Sequence, residues 1–442
     1  MTEASRDSAS GRLRRVLGVG FGVAVIIGST LGIGILRTPG LVAGAVHSAS
    51  TTLIVWIAGG LYTLLGSICL TELGTMAPEA GGYYVYARRA FGDVVGFAVG
   101  WTDWLTYCAV LGYVSIGLAE FVGLLWPALA GATTRIAIGA LVLFVALQWA
   151  GIRVSSRFQE VTTALKFVAF LAIVAAALLW SPRAGSAAEA SFGPLTLAGV
   201  IGAIQSVVIA YGGWQSALYF TEEDRDPTRN LPRAMIGGVL SVIVIYLLVN
   251  VALLAVLPMA TLAHSTLPAA DAAAVLAGDR GRQAITVLSL LSLPPLLNAI
   301  MMIGTRILYA LGRDGFVPAR VASVNSGGTP GVATIVTTIV AVGLIATGTF
   351  QRLVAIASFF LAANYAVCCL ALFALRRREP AAPRPFRAWG YPWSGAIVLI
   401  GAFAFLAGAL VGDTTNGLAA LALAALGVIV RQTTPGIFLQ KT

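Results

Sequence analysis

Charge is what this chain lacks most. Its 442 residues include only 10% Asp, Glu, Lys and Arg, where a water-soluble domain usually carries about 25%. With 58% apolar residues it cannot clothe itself in side chains that suit water. Histidine is scarce too: the two present, His47 and His264, sit far apart. The four cysteines, Cys69, Cys108, Cys368 and Cys369, all lie within apolar stretches. None is spaced with a histidine as metal ligands are, so neither a zinc site nor a disulfide framework is expected. Lysine is nearly missing: of the 28 basic residues only Lys166 and Lys441 are lysine. No Gly-Lys-Ser/Thr follows any glycine-rich stretch, so a phosphate-binding loop, and with it ATP-driven work, has no support.

What is present is a series of apolar runs near or beyond the 18 residues that mark a membrane-spanning helix. The runs fall at about 17–46, 52–77, 94–126, 134–151, 160–180, 197–221, 234–258, 283–311, 332–349, 353–376, 392–412 and 415–431. The expected fold is an all-α membrane protein of about twelve transmembrane helices. The polar, basic stretch before the first run resembles the start of a signal peptide. The run is too long for one, and it is expected to stay as the first helix. The net charge of +10 does not point to nucleic acid, because the basic residues lie in short loops. With the N-terminus and every second loop placed on one side, that side collects Arg14, Arg15, Arg88, Arg89, Arg153, Arg157, Arg225, Arg229, Arg233 and Arg376–Arg378 among many others. The opposite loops hold few, including Arg135, Arg183, Arg280 and Arg282. Basic flanks resist translocation, so both termini are expected in the cytoplasm.

No loop is long enough for a soluble core. A membrane enzyme would need a nucleophile–base pair, a metal cluster or a carboxylate dyad, and none is in view. A sensor would bring an output domain. The function therefore has to reside inside the bundle.

Two spans carry interruptions. The first has Gly28, Gly32 and Gly34 at its middle, and glycine costs about 1 kcal/mol against alanine in a helix interior. The sixth contains Tyr211-Gly212-Gly213-Trp214. Glycines also serve close helix packing, which one cluster alone would suggest. Interruptions five spans apart instead point to a transporter binding site. Backbone groups freed inside lipid cost several kcal/mol unless something satisfies them. A helix start presents N–H groups and a helix end presents carbonyls, which suits the carboxylate and ammonium of an amino acid. The carboxylate is expected at the N–H groups of Ile33, Gly34 and Ile35, beside Gly32. The ammonium is expected at the carbonyls of Thr30 and of Ile209 to Tyr211.

The stretch Ile27 to Gly40 resembles the first-helix signature of the amino acid–polyamine–organocation superfamily. Pro78–Tyr86, Glu222–Ala234 and Arg306–Pro318 resemble its loops after the second and sixth helices and the end of its eighth. The resemblance implies a five-plus-five inverted repeat with broken helices 1 and 6 and two extra C-terminal helices. Its divisions would be 1–16 (cytoplasmic tail), 17–180, 197–376, 392–431 and 432–442 (tail). It implies alternating access in a bacterial inner membrane and a permease with no enzymatic activity and no cofactor. Where many relatives carry an acid or polar residue this chain has Gly212 and Gln215. With Tyr107, Cys108, Trp214 and Asn298 as walls, it favours a neutral amino acid over a cationic one, which would want a carboxylate in so dry a site. An organic amine or nucleobase on the same fold is the alternative substrate. No loop cysteine is placed for a disulfide-linked partner; the partners expected are the amino acid, the lipid bilayer and protons.

Lys166 stands inside the fifth span, where an ionisable residue is a functional hypothesis by default. Snorkelling to the surface is the plain alternative. Some sodium-independent superfamily members have a lysine at this position, bridging helices one and eight where sodium sits in sodium-coupled relatives. The resemblance thus implies sodium-independent transport, with proton coupling or exchange both open. Arg37 follows the first break and is left between gating the outer mouth and pairing with Asp103 or Glu120. Glu72 is expected to pair with a basic loop and Arg306 to be structural. Glu222 and Glu223 form either a solvated cluster or an inner-gate salt bridge.

Overall fold

The computed structural model describes residues 13–180, 195–347 and 350–433. Arg6, Arg12, Arg183 and Lys441 lie outside the described residues. The chain is helical, in the order α1 (Val19–Thr30), α2 (Ile33–Val46), α3 (Ala49–Met76), α4 (Tyr83–Phe91), α5 (Asp93–Leu125), α6 (Thr133–Trp149), α7 (Ile152–Trp180) and α8 (Leu197–Ala210). A 3₁₀ segment, Trp214–Phe220, precedes α9 (Pro227–Val256), α10 (Met259–His264), α11 (Pro268–Arg313), α12 (Gly331–Thr347), α13 (Phe350–Arg378), α14 (Trp393–Gly412) and α15 (Thr414–Thr433). Among the described residues nine helical stretches are long and apolar enough to cross a membrane. The pair formed by α1 and the remainder of α2, bent by 48°, makes a tenth. The apolar parts of α12 and α15, in the places of the ninth and last expected spans, are shorter.

The first and sixth spans are broken where the glycines fall. Gly32 is extended (φ −143°, ψ −152°), so α1 stops and α2 starts afresh. Beyond Ala210 the chain passes Gly213 at φ 113° and continues as a 3₁₀ segment. Two helices appear where loops were expected. α4 is too short to register as an apolar run, yet Tyr83, Tyr84 and Tyr86 bury against the bundle. The stretch expected as the loop before the eighth span holds α10 and the start of α11, each preceded or opened by a proline, Pro258 or Pro268. Proline at a first turn wastes no hydrogen bond. α11 bends at Ala277 and Gly278, both non-helical.

α5 packs along α11, α9 along α3, and α1 against α7, α9 and the 3₁₀ segment. α14 and α15 lie to the outside, against α3, α5 and α13. The segment before α1 is held flat across the arginine-rich end of the bundle. The Val16 and Leu17 N–H groups donate to Glu223 O at 3.0 and 2.9 Å, and Arg225 N–H donates to Leu17 O at 3.1 Å.

The loop between α13 and α14 is anchored from below. Glu72, fully buried, accepts from Arg376, from Arg384 at 3.1 Å and from the Ala388 N–H at 2.6 Å. Its expected basic partners are thus Arg376 at the end of α13 and Arg384 in the loop that follows.

Candidate functional site

A helix end leaves its last carbonyls without N–H partners, and the end of α1 shows where they go. Ile27 O accepts from Leu31 N–H at 2.9 Å. Gly28 O accepts from Lys166 Nζ at 3.0 Å. Thr30 O accepts from the Tyr246 hydroxyl at 2.7 Å. The start of α2 leaves the N–H groups of Ile33, Gly34 and Ile35 without in-helix acceptors and adds the positive end of its dipole. The first break therefore presents an acceptor end and a donor end on either side of Gly32.

The second break repeats the pattern against it. Ile209 O accepts from Gly212 N–H at 2.9 Å, and Ala210 O lies 2.8 Å from the same Tyr246 hydroxyl. One hydroxyl has one proton, so it serves the two carbonyls alternately or shares unequally between them. The breaks are in contact. A Cβ on Gly213 would stand 2.7 Å from the carbonyl carbon and oxygen of Ser29, and one on Gly34 would stand 3.3 Å from Ala210 Cα. Ser216 Oγ donates to Gly213 O at 2.6 Å and lies 2.9 Å from Ser29 Oγ. Thr30, Gly32, Gly34, Tyr211, Gly212, Gly213 and Trp214 are thus brought into one region. The Ile209 side chain points outward, 47% exposed, so only its backbone belongs there.

Gln215 organises the adjoining wall. Its Nε2 donates to Tyr107 Oη at 3.3 Å, while its Oε1 accepts from Tyr365 at 3.0 Å and from the Gly213 N–H at 3.2 Å. Trp214 packs on the Tyr365 ring, centroids 5.4 Å apart. Tyr219 donates to Asp103 Oδ2 at 2.8 Å. Cys108, also named as a wall, is turned instead toward Thr337 O of α12, 3.9 Å away.

Lys166 is 2% exposed and does not snorkel. Its ammonium donates to Gly28 O on α1 and to Ser292 O on α11, both at 3.0 Å. Pro294 and Pro295 lie just beyond Ser292 within α11. They supply no N–H to the carbonyls of 290 and 291, which disturbs the helix ladder there. Below Lys166 on the same face of α7, Thr163 Oγ1 and Gln159 Nε2 reach Ala24 O at 3.2 and 3.4 Å. Gln159 Oε1 in turn accepts from Asn298 Nδ2 at 2.9 Å, and Asn298 Oδ1 accepts from Gln148 Nε2 at 2.8 Å. Asn298, expected as a wall, spends its amide on this ladder and on Ser155 O. Three residues escaped the sequence reading. Gln159 and Thr163 carried a signal, polar positions at i, i+4 and i+7 with Lys166 on one helix face. Tyr246 carried none, since a tyrosine in an apolar span is ordinary.

The arginine-rich end of this region is sealed by ion pairs. Arg306 and Glu223, both fully buried, meet through two bonds of 3.0 Å. Arg313 reaches Glu222 at 2.7 Å and Glu79 at 3.3 Å, and Arg88 reaches Asp314 at 2.8 Å. Glu222 also accepts from the Ala80 N–H at 2.9 Å. The solvated-cluster reading is corrected for Glu223, which is fully enclosed; Glu222 and Arg313 remain partly exposed. Arg37 is exposed and makes no ion pair among the described residues. Asp103 faces Tyr219, and Glu120 is exposed on α5. Among the described residues no group of His, Cys, Asp and Glu is arranged to hold a metal ion.

Comparison with known proteins agrees with this architecture. The chain is 27% identical over 417 residues to the serine/threonine exchanger SteT of Bacillus subtilis, covering 91% of this chain and 93% of that one. It is 29% identical to the b(0,+)-type amino acid transporter 1 of Mus musculus (85% and 79% covered). It is 28% identical to the large neutral amino acids transporter small subunit 2 of Homo sapiens (87% and 75% covered). Residues 22–430 match the model of the amino acid permease family, and with two broken helices meeting inside an apolar bundle the chain belongs to that family, a membrane transporter and not an enzyme.

Proposed function

We propose that the protein exchanges small neutral amino acids across the bacterial inner membrane by alternating access, without sodium, with both termini in the cytoplasm. The observation that carries this is the meeting of the two breaks, with Lys166 joining α1 to α11. The free N–H groups at Ile33–Ile35 suit the substrate carboxylate, and the carbonyls of Thr30 and Ala210 suit its ammonium. Tyr246 holds those two carbonyls and gives way as the ammonium arrives. Tyr107, Trp214 and Gln215 offer aromatic surface and neutral polar groups. Such groups accept a short or hydroxylated side chain and provide no counter-charge for a cationic one. The relative named a serine/threonine exchanger supports both the size of the substrate and exchange as the mode.

Lys166 stands in for a cation at the end of α1, which is why sodium is not required. The segments 17–180 and 197–376 act as the two inverted halves, each opening on a broken helix. The ion pairs at the arginine-rich end close the inner path and part when it opens.

The test is uptake by proteoliposomes. Labelled serine or threonine should accumulate only when the lumen holds unlabelled amino acid, and equally in sodium or choline buffer. Uptake into empty liposomes driven by a pH gradient would replace exchange with proton coupling. Stabilisation of the purified protein by an amine or nucleobase, and by none of the amino acids, would replace the substrate class.

A further inference from the structure

Beside the broken first span lies a cavity of about 180 Å³ whose lining includes none of the residues placed at the two breaks. Its lining comes from α2, α7, α9 and α11 and consists only of hydrocarbon side chains and glycine. The floor is buried: Phe170, Val174, Ala177, Leu253, Ile285 and Leu288 are each less than a tenth exposed. The mouth is at Ala277 and Ala284, which are exposed. Around it the surface is apolar and open, with Leu171, Leu178, Val287 and Leu291 at 39–58% exposure. Such a surface on a membrane-spanning helix faces acyl chains, not water.

Water is a poor occupant. It needs two to four polar partners, and apolar cavities of about 150 Å³ stay dry yet take up hydrocarbon. An empty void forfeits dispersion contacts along its whole lining. The end nearer the membrane surface is marked by charge. Next to the lining Gly281 stand Arg280 and Arg282. Arg282 pairs with Asp271 at 3.4 Å, whereas Arg280 makes no ion pair among the described residues and is exposed. From Gly281 to Leu288 the cavity runs inward by about 10 Å, at 1.5 Å of rise per residue.

We propose that this cavity binds one acyl chain of a phospholipid, with the headgroup phosphate at Arg280. The position gives the lipid a consequence. Phe170 lies one turn beyond Lys166 on α7, and Leu288 lies one turn from Ser292 on α11. Leu36 belongs to α2, the half-helix whose free N–H end faces the break. A chain seated here sets how closely α2 approaches α7 and α11. This site does not depend on what the protein carries.

The test is photolabelling in nanodiscs with a phosphatidylglycerol carrying a diazirine in its acyl chain, followed by peptide mapping. Label is expected to concentrate on residues 170–177 and 276–288, above that on the stretch 161–168 of the same helix, whose Val161, Ala164, Leu165 and Val168 are exposed to lipid. Ala177→Phe fills the cavity from α7 and Ala273→Phe from α11. Each monodisperse variant should lose label at the cavity severalfold and keep it at 161–168. Arg280→Gln should lower labelling from phosphatidylglycerol while leaving that from a diazirine-bearing diacylglycerol unchanged. Label spread evenly along the lipid face of wild-type α7 overturns the proposal without recourse to any variant. Cavity label that neither filled variant reduces overturns it as well.

Discussion

The Tyr246 hydroxyl stands 2.7 Å from the carbonyl oxygen of Thr30, at the last residue of α1. It also stands 2.8 Å from that of Ala210, the last residue of α8. One side chain on α9 thus closes both acceptor ends of the candidate site. Removing it should expose the two carbonyls and loosen the contact between the breaks. A buried polar group left without a partner costs about 1–3 kcal/mol. Tyr246→Phe should therefore lower the thermal stability of ligand-free protein and slow exchange by about tenfold, equivalent to about 1.4 kcal/mol. Added amino acid should restore more stability to the variant than to wild type, since its ammonium then meets unoccupied acceptors. Unaltered exchange and stability would show that Tyr246 only fills space.

Lys166 allows a sharper experiment. Its ammonium ties Gly28 O on α1 to Ser292 O on α11. Lys166→Ala strands both carbonyls in a dry interior, whereas Lys166→Arg keeps the charge but brings a planar fork in place of a compact ammonium. Uptake should fall below about a tenth of wild type in each, by more than 1.4 kcal/mol, at equal surface expression. Replacing sodium with choline should leave wild type unchanged. Near-normal uptake by Lys166→Ala would end its assignment to the transport cycle.

The two breaks and Lys166 were legible in the sequence for different reasons. Three glycines in the middle of an apolar run weaken a helix wherever the run folds, so the interruption at Gly32 is a local property. Lys166 stands out because almost every other cation in the chain is arginine. Tyr246, Ser292 and Gln215 matter through juxtaposition: what they do depends on which distant groups face them, the Thr30 and Ala210 carbonyls, the Lys166 ammonium, and the Tyr107 and Tyr365 hydroxyls, and no spacing along the chain records that. Asn298 failed in the opposite direction. Its polarity inside a span was visible, but its amide is consumed by Gln148, Ser155 and Gln159. α4 was invisible because burial of its three tyrosines depends on the α5 and α13 surfaces and not on a run of its own.

Gly213 should tolerate nothing larger. Its φ of 113° lies in the left-handed region, which costs a side chain roughly 1–2 kcal/mol. A Cβ there would also press on Ser29 backbone at 2.7 Å. Gly213→Ala should abolish uptake and lower the unfolding temperature. Gly202→Ala on α8, where a Cβ meets nothing within 4 Å, should preserve both. Equal behaviour of the two variants would remove the contact between the breaks from the account of function.

Acid should loosen the arginine-rich end first. Burial pushes the Asp314 carboxyl upward, but its bonds to Arg313 and Tyr84 and the nearby Arg88 outweigh this and leave it below the ordinary carboxylate value. A depressed folded pKa means that the stabilisation is present above the unfolded value, about 3.9. It is lost as pH falls below that and through the folded value. Asp314→Asn should be less stable than wild type at neutral pH, with the difference shrinking as pH falls below about 4. A difference independent of pH would assign Asp314 a packing role alone.

The Arg306–Glu223 pair should behave differently from those around it, because both partners are fully buried. Breaking a buried pair from one side leaves an uncompensated charge and costs about 3–5 kcal/mol, while removing both is often close to neutral. Glu223→Gln and Arg306→Met should each lower thermal stability steeply, and the double variant should recover most of the loss. The exposed Arg229–Asp226 pair should show a coupling below about 1 kcal/mol in the same double-mutant cycle. If Arg306 and Glu223 also form the inner closure, the double variant will be stable yet biased toward the inward-open state. A cysteine introduced in place of Ala217 in the 3₁₀ segment should then react faster with a thiol reagent from the arginine-rich side. Restored stability with unchanged reactivity would make the pair structural and move the gate to Arg313 and Glu222.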